Sequence, residues 1–188
     1  MKKVLILGSN GFVGKRVADL LEKKGYIIVR STDDIREKSK IKPNLFKTDI
    51  VINCAGQVKT TDVEVDYYSS NILGAINIAE LCLENECPLV HISSIETKGA
   101  YGTSKRVSEI LLQDYFVPKG LKLLILKLCV IMEEDTRDRQ RHKIAWCKVD
   151  DLADDIERIV RTHPFNSYEL RNYKEMYEEP TNIYQPGT

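Results

Sequence analysis

Apolar and amphipathic segments alternate along most of the chain. Val4-Leu5-Ile6-Leu7 is a short unbroken apolar run, the pattern of a strand buried on both faces. Val13, Val17, Leu20 and Leu21 then recur at i, i+4, i+7 and i+8, which predicts a helix with one apolar stripe, ended by Gly25. Residues 26–30 read as a second strand. Segment 31–49 is polar and too short for a helix, a strand and a second helix, so it predicts one short helix or an irregular crossover. Further strands are predicted at 50–52, 89–92 and 121–130. Helices are predicted at 64–85, with Ile72, Ile76, Ala79 and Leu83 on one face, and at 102–117, with Val107, Ile110 and Leu111 inward. Strands that alternate with helices join by right-handed crossovers into a parallel sheet covered on both faces.

After residue 132 the pattern changes. Residues 133–143 carry mixed charge with no apolar period and read as a solvated loop, and 144–149 suits a strand. Leu152, Ile156, Ile159 and Val160 return to helical spacing, with Asp150 or Asp151 as N-cap and His163-Pro164 as the stop. Residues 165–188 are polar and tyrosine-rich, with one candidate strand at 168–170 and otherwise a loose end.

Composition narrows the function classes. Lys+Arg and Asp+Glu are equal at 28 each, so the strong basic field of a dedicated nucleic-acid binder is missing. No apolar run approaches the roughly 20 residues that span a bilayer. The opening MKKVLILGSNGFVG imitates a leader, but its apolar stretch is short and Gly8, Gly11 and Gly14 break it, so a cytoplasmic protein is expected. The five cysteines (Cys54, Cys82, Cys87, Cys129 and Cys147) form no Cys-x-x-Cys pair, and buried reduced thiols are expected rather than disulfides or a metal site.

Two motifs carry chemistry. Gly8-Ser9-Asn10-Gly11-Phe12-Val13-Gly14 reads G-x-x-G-x-x-G between a buried strand and an amphipathic helix. In that context the glycines allow a tight turn, close approach of the backbone to a pyrophosphate, and packing of helix on strand, with the phosphates on the positive helix end. Gly8, Asn10, Gly11, Phe12, Val13 and Gly14 are therefore candidate cofactor-binding residues. The second strand ends in Arg30-Ser31-Thr32 where an acid would select a free ribose 2′-hydroxyl. A cation and hydroxyls suit a 2′-phosphate, so NADP(H) is expected ahead of NAD(H), with Arg30 and Ser31 reading it; Asp33 and Asp34 lie close and oppose it. The second motif is Tyr101 and Lys105, four apart on one helical face, after the serines that end the 89–92 strand. A phenol with a pKa of about 10 is a poor catalyst at neutral pH, and a nearby ammonium lowers that value.

In this order and frame the motifs resemble the extended short-chain dehydrogenase/reductases, the group that modifies sugar nucleotides. The resemblance covers residues 1 to about 162: Gly8–Gly14; Asp49-Ile50-Val51-Ile52-Asn53-Cys54-Ala55-Gly56; Asn71-Ile72-Leu73-Gly74-Ala75-Ile76-Asn77; Ser93-Ser94; Tyr101 with Lys105; and Val149-Asp150-Asp151-Leu152-Ala153. It implies that Tyr101 is the acid–base residue, that Lys105 holds the nicotinamide ribose and tunes Tyr101, and that Ser94 binds the reacting oxygen. It also implies that Ala55, Gly56 and Asn71 line the cofactor cleft and that helices 64–85 and 102–117 form a homodimer interface.

The departures shape the expectation. Only seven positions separate Ser94 from Tyr101, a short link like that of the reductases of deoxysugar synthesis. Ile95-Glu96 stands where dehydratases carry Asp-Glu, which argues against 4,6-dehydration. Lys127-Leu128-Cys129 replaces the family's R-x-P-N strand end, and the substrate-binding part is reduced to a fragment. Arg137, Arg139, Arg141, His142 and Lys143 read as a solvated loop balanced by neighbouring acids, with a grip on a substrate diphosphate as the alternative. His91 reads as packed or hydrogen-bonded, and Trp146 as an anchor.

The expected fold is α/β: a Rossmann-like doubly wound parallel sheet with helices on both faces and a vestigial C-terminal cap. Residues 1–162 form the NAD(P)-binding domain, with a short cap segment at about 133–149, and 163–188 form a polar tail. The expected function is an NAD(P)-dependent oxidoreductase, reductase or epimerase, acting on a nucleotide-sugar through Ser94, Tyr101 and Lys105. The alternative is a non-catalytic dinucleotide-binding sensor or interaction subunit.

Overall fold

A computed structural model describes residues 1–45, 47–58, 66–96, 98–133, 146–165 and 168–172. Six strands form one sheet in the order β2-β1-β3-β4-β5-β8, every neighbouring pair parallel. They are β1 (Lys3–Leu7), β2 (Ile27–Ser31), β3 (Ile50–Asn53), β4 (Leu89–Ser94), β5 (Leu123–Leu128) and β8 (Glu169–Asn172). A small second sheet pairs β6 (Val130–Met132) with β7 (Trp146–Lys148). The four apolar residues of β1 that announce a strand are fully buried. The fold is the doubly wound parallel architecture expected from the alternating pattern.

The helices divide between the two faces. Helix α1 (Phe12–Lys23) and helix α5 (Val149–Thr162) cover one side, where Val17, Ala18 and Leu21 meet Leu152, Ile156 and Val160 over Val4, Ile6, Ile52 and Val90. The short α2 (Lys38–Ile41), α3 (Gly74–Glu84) and the turns after α4 (Gly99–Ile110) cover the other, over Leu5, Leu7, Val51, Leu89 and Leu123. Segment 31–49 thus holds the short α2 followed directly by a 3-10 turn at Lys42–Leu45, with no full-length helix among its described residues. Helix α4 begins three residues before the expected start at 102 and continues into a wide turn at Leu111–Phe116.

Two local expectations are corrected. Ile110, expected inward on α4, is exposed, and Leu112 is buried instead. Neither Asp150 nor Asp151 caps α5: Lys148 is the N-cap residue, and both acids lie in the first turn. There they still face the positive end of the helix dipole. His163, in extended conformation, ends that helix as expected. The strand expected at 168–170 is observed as β8, which extends the sheet beside β5, and the Tyr168 hydroxyl donates to Gln113 Oε1 at 2.9 Å. All five cysteines are free thiols, four of them buried. Among the described residues no helix is long and apolar enough to cross a membrane. The basic run at 137–143 and the tyrosines at 173, 177 and 184 lie outside the described residues.

Candidate active site

The chain leaves β1 toward β2 on one side and returns through β3 toward β4 and β5 on the other. The strand order therefore reverses between β1 and β3, and such a reversal opens a crevice beyond the carboxyl ends of those strands. The glycine turn follows β1 directly. Gly8 has φ +72°, and its carbonyl accepts the Gly11 N–H at 2.9 Å. A Cβ on Gly14 would lie 2.3 Å from the Gly8 carbonyl oxygen, so only glycine lets α1 start this close to the turn. No side chain caps the first turn of α1, and that turn contains no acid. Its leading N–H groups and positive dipole end are thus available to an anion, which fits a dinucleotide pyrophosphate. Asn10, Gly11 and Phe12 are exposed at this turn, and Val13 is half-buried. Ser9, by contrast, is buried with its hydroxyl on the Ser31 carbonyl at 3.1 Å.

Across the crevice, the turn after β3 is tied down by side chains. Asn53 Oδ1 accepts from the Ala55 N–H at 3.0 Å. The Asn71 carboxamide accepts from the Gln57 N–H at 2.8 Å and donates to the Gln57 carbonyl at 3.1 Å, as a neighbouring strand would. It also donates to Ser104 Oγ at 2.9 Å, and Ser104 donates to the Tyr101 carbonyl at 2.7 Å. Asn71 sits in a wide helical turn at Ser69–Leu73, a geometry often found at functional sites. It links the Ala55-Gly56 turn to the first turn of α4. Ala55 and Gly56 line this edge, and a Cβ on Gly56 would lie 2.7 Å from Asn71 Oδ1 and 3.4 Å from Lys105 Nζ.

Ser94 ends β4, and its Oγ accepts from the Glu96 N–H at 3.1 Å. Tyr101 lies in the first turn of α4, edge-on to Tyr67 with ring centroids 5.8 Å apart. Burial pushes the Tyr101 phenol above its ordinary value of 10; a hydrogen bond with the Ser94 side chain opposes that, and Glu96 and Tyr67 add to it. The Lys105 ammonium is buried and donates to the Ile92 carbonyl at 3.1 Å. Burial lowers it to about 8, against the pull of Cys54 and Glu109. Ser94 and Tyr101 therefore share one hydrogen-bonded corner, with Lys105 one turn deeper along α4. The expectation that the ammonium lowers the phenol is corrected here: the phenol is raised, because burial dominates.

At the end of β2 the arrangement is less open than its residue types imply. Arg30 is held by three hydrogen bonds to acids of α1, to Asp19 Oδ1 at 2.6 Å and to Glu22 Oε1 and Oε2 at 2.9 Å each. Ser31 is buried and donates to Asp33 Oδ2 at 2.8 Å, which also accepts from Asn44 at 2.8 Å. His91 is packed and hydrogen-bonded, as expected. Asn53 Nδ2 donates to its Nδ1 at 3.1 Å, which leaves the ring proton on a buried Nε2 without a protein partner among the described residues. Sequence reasoning missed Asn53, Tyr67 and Ser104; no spacing rule links residues that meet only across the sheet or between helices.

A glycine turn into an uncapped helix, at the reversal of a parallel sheet, defines a dinucleotide-binding α/β protein. The comparisons agree, and the chain belongs to the NAD dependent epimerase/dehydratase family, whose model matches residues 4–148. It is similar to dTDP-4-dehydrorhamnose reductase of Mycolicibacterium smegmatis, with 29% identity over 105 residues. That match takes in 53% of this chain and about a third (32%) of the curated relative's length. Two solved structures share the fold. UDP-N-acetylglucosamine 4-epimerase from Bacillus cereus superimposes with a TM-score of 0.76 at 17% identity, over 92% of this chain and 77% of that one. dTDP-4-dehydrorhamnose reductase from Bacillus anthracis, solved with NADP, gives 0.72 at 22% identity, over 92% and 74%.

Proposed function

We propose that this protein is an NAD(P)-dependent oxidoreductase that acts on a nucleotide-activated sugar, with Ser94, Tyr101 and Lys105 as its reactive set. The observation that carries the reading is the Ser94–Tyr101 corner beside the turn that holds Gly56, across from the uncapped start of α1. Gly8, Asn10, Gly11, Phe12, Val13 and Gly14 would hold the pyrophosphate, and Ala55, Gly56, Asn71 and Lys105 the nicotinamide side. The cofactor, when bound, supplies the redox chemistry.

The protein's own part is proton delivery and alignment. A phenol held above 10 is protonated at neutral pH, so Tyr101 is poised to give a proton to a carbonyl oxygen. Ser94 donates a second hydrogen bond to that oxygen and fixes its place. Lys105, with a value of about 8, is mostly an ammonium at pH 7 and favours the phenolate that remains. Reduction is therefore the direction this site favours, and epimerisation through a transient ketone would use the same groups. NADP(H) remains the preferred cofactor through Arg30 and Ser31, although a 2′-phosphate must compete with Asp19 and Glu22 for the guanidinium. A homodimer through helices 64–85 and 102–117 would cover Leu73, Ile110 and Tyr115, which are exposed. Residues 1–162 would form the cofactor domain, and the protein would reside in the cytoplasm.

The test is NADPH oxidation with a panel of 4-keto nucleotide-sugars, wild type against Tyr101→Phe. Turnover that falls about 100-fold or more in the variant, with dinucleotide affinity unchanged, is the expected result. No turnover with any substrate, combined with firm dinucleotide binding, would overturn the enzymatic reading in favour of a sensor.

A further inference from the structure

Glu109 takes no part in the site as described, yet it is buried and fully engaged. Its Oε1 accepts from the Ser93 hydroxyl of β4. Its Oε2 accepts from the Lys127 ammonium of β5 at 2.9 Å. Ser93 and Lys127 are register partners across β4 and β5, so one side chain of α4 ties the helix to two adjacent strands. The three residues lie next to the reactive set by construction. Ser93 directly precedes Ser94. Glu109 follows Lys105 by one helical turn and Tyr101 by two, on the same face of α4.

Fastening a helix does not by itself call for a carboxylate here. A buried ion pair adds little net stability over apolar groups of the same shape. The electrostatic consequence for Lys105 does call for one. The titratable groups that face the Lys105 ammonium are Cys54 beyond β3, His91 on β4 and Glu109 on α4. Burial pushes the Cys54 thiol up to about 12 and the His91 ring down to about 3, so both are uncharged at neutral pH. Glu109 is the member of that set engaged in an ion pair, with Lys127 at 2.9 Å.

We propose that Glu109 is a positioning residue: anchored to Ser93 and Lys127, it fixes the height of α4 against β4 and places its carboxyl group one helical turn from Lys105, so that Ser94, Tyr101 and Lys105 keep their relative positions and Lys105 its charge. The proposal rests on the reading that Lys105 acts as a cation beside Tyr101. Lys127 divides the Glu109 charge, so the two residues push Lys105 in opposite directions.

Lysine side-chain NMR on the full-length protein tests this without substrate or turnover. The Lys105 resonance is assigned by its loss in Lys105→Arg and followed against pH. Glu109→Gln should lower its titration midpoint by about half a pH unit or more, and Lys127→Met should raise it. Ser93→Ala, which keeps both charges, should leave it in place. A merely structural role would give no opposed shifts. An unmoved midpoint in Glu109→Gln or in Lys127→Met, or an equal shift in Ser93→Ala, overturns the proposal. Should Glu109→Gln fail to fold, the upward shift in Lys127→Met carries the test alone. Opposed shifts in a protein without turnover would uphold Glu109 and sink the enzymatic reading, so the two failures are distinct.

Discussion

On the side of the sheet covered by α1 and α5, the four central strands present Val4, Ile6, Ile50, Ile52, Val90, Ile92, Leu124 and Leu126. On the side covered by α3 and α4, the same strands begin with Leu5, Val51, Leu89 and Leu123. There β3, β4 and β5 end with Asn53, His91, Ser93 and Lys127, each bonded to a named partner, while β1 ends with the buried Leu7. One face is a packing surface along its whole length. The other changes from packing to polar pairing at the height where the crevice opens. Burying a polar group is costly unless it is hydrogen-bonded; Asn53 and His91 pair with each other, and Ser93 and Lys127 converge on Glu109 of α4. Both faces thus carry a buried apolar core, and the polar pairing beside the crevice is confined to the carboxyl end of the face under α3 and α4.

That contrast can be broken by substitution. Leu21→Ala, in the fully buried α1–α5 seam, should destabilise the fold by about 2–5 kcal/mol in urea unfolding while leaving dinucleotide affinity of the folded protein unchanged. A parallel loss of affinity would show that the two faces are not separable. Gly14→Ala should strike the cofactor turn as well as the fold. Its Cβ meets the Gly8 carbonyl, α1 must move off the turn, and dinucleotide affinity should fall about tenfold or more by calorimetric titration. Wild-type affinity in that variant would place the ligand elsewhere.

The polar end should also show in acid. The His91 ring is held down to about 3 in the fold by burial and by the Lys105 charge, against 6.5 when free. Between those values the unfolded chain binds a proton that the native state refuses. Stability from this residue is complete above about pH 6.5 and is lost as pH falls toward 3. His91→Gln, which keeps an acceptor for Asn53 but does not titrate, should flatten that limb in melting temperature against pH. An unchanged acid limb would assign the loss to other groups. The smallest effect is expected at the sheet edge. Arg30→Ala should weaken NADP+ binding only about threefold and NAD+ binding not at all, because Asp19 and Glu22 already engage the guanidinium at a half-exposed position. Equal losses for both dinucleotides would remove Arg30 from cofactor selection.

Much of this was legible before any coordinates. Unbroken apolar runs located the strands and 3.6-residue spacing the helices, because a strand inside a covered parallel sheet buries both faces and a helix buries one stripe whatever its neighbours are. The glycine turn was legible because steric exclusion at Gly14 acts over a few residues of chain. Tyr101 and Lys105 were legible because i, i+4 spacing places them on one helical face. The same rule reaches Glu109, but only the fold shows that Ser93 and Lys127 meet it.

Local sequence therefore determined the elements, the turn and the residue types of the crevice. Tertiary structure alone decided the protonation state and direction of those residues: that Lys105 faces Ile92 and Glu109, that the Tyr101 phenol is raised rather than lowered, and that Arg30 is already paired. The reason is physical. Covalent spacing governs contacts within a turn or a helix, whereas burial and charge at a site are sums over groups that different strands and helices bring from distant parts of the chain.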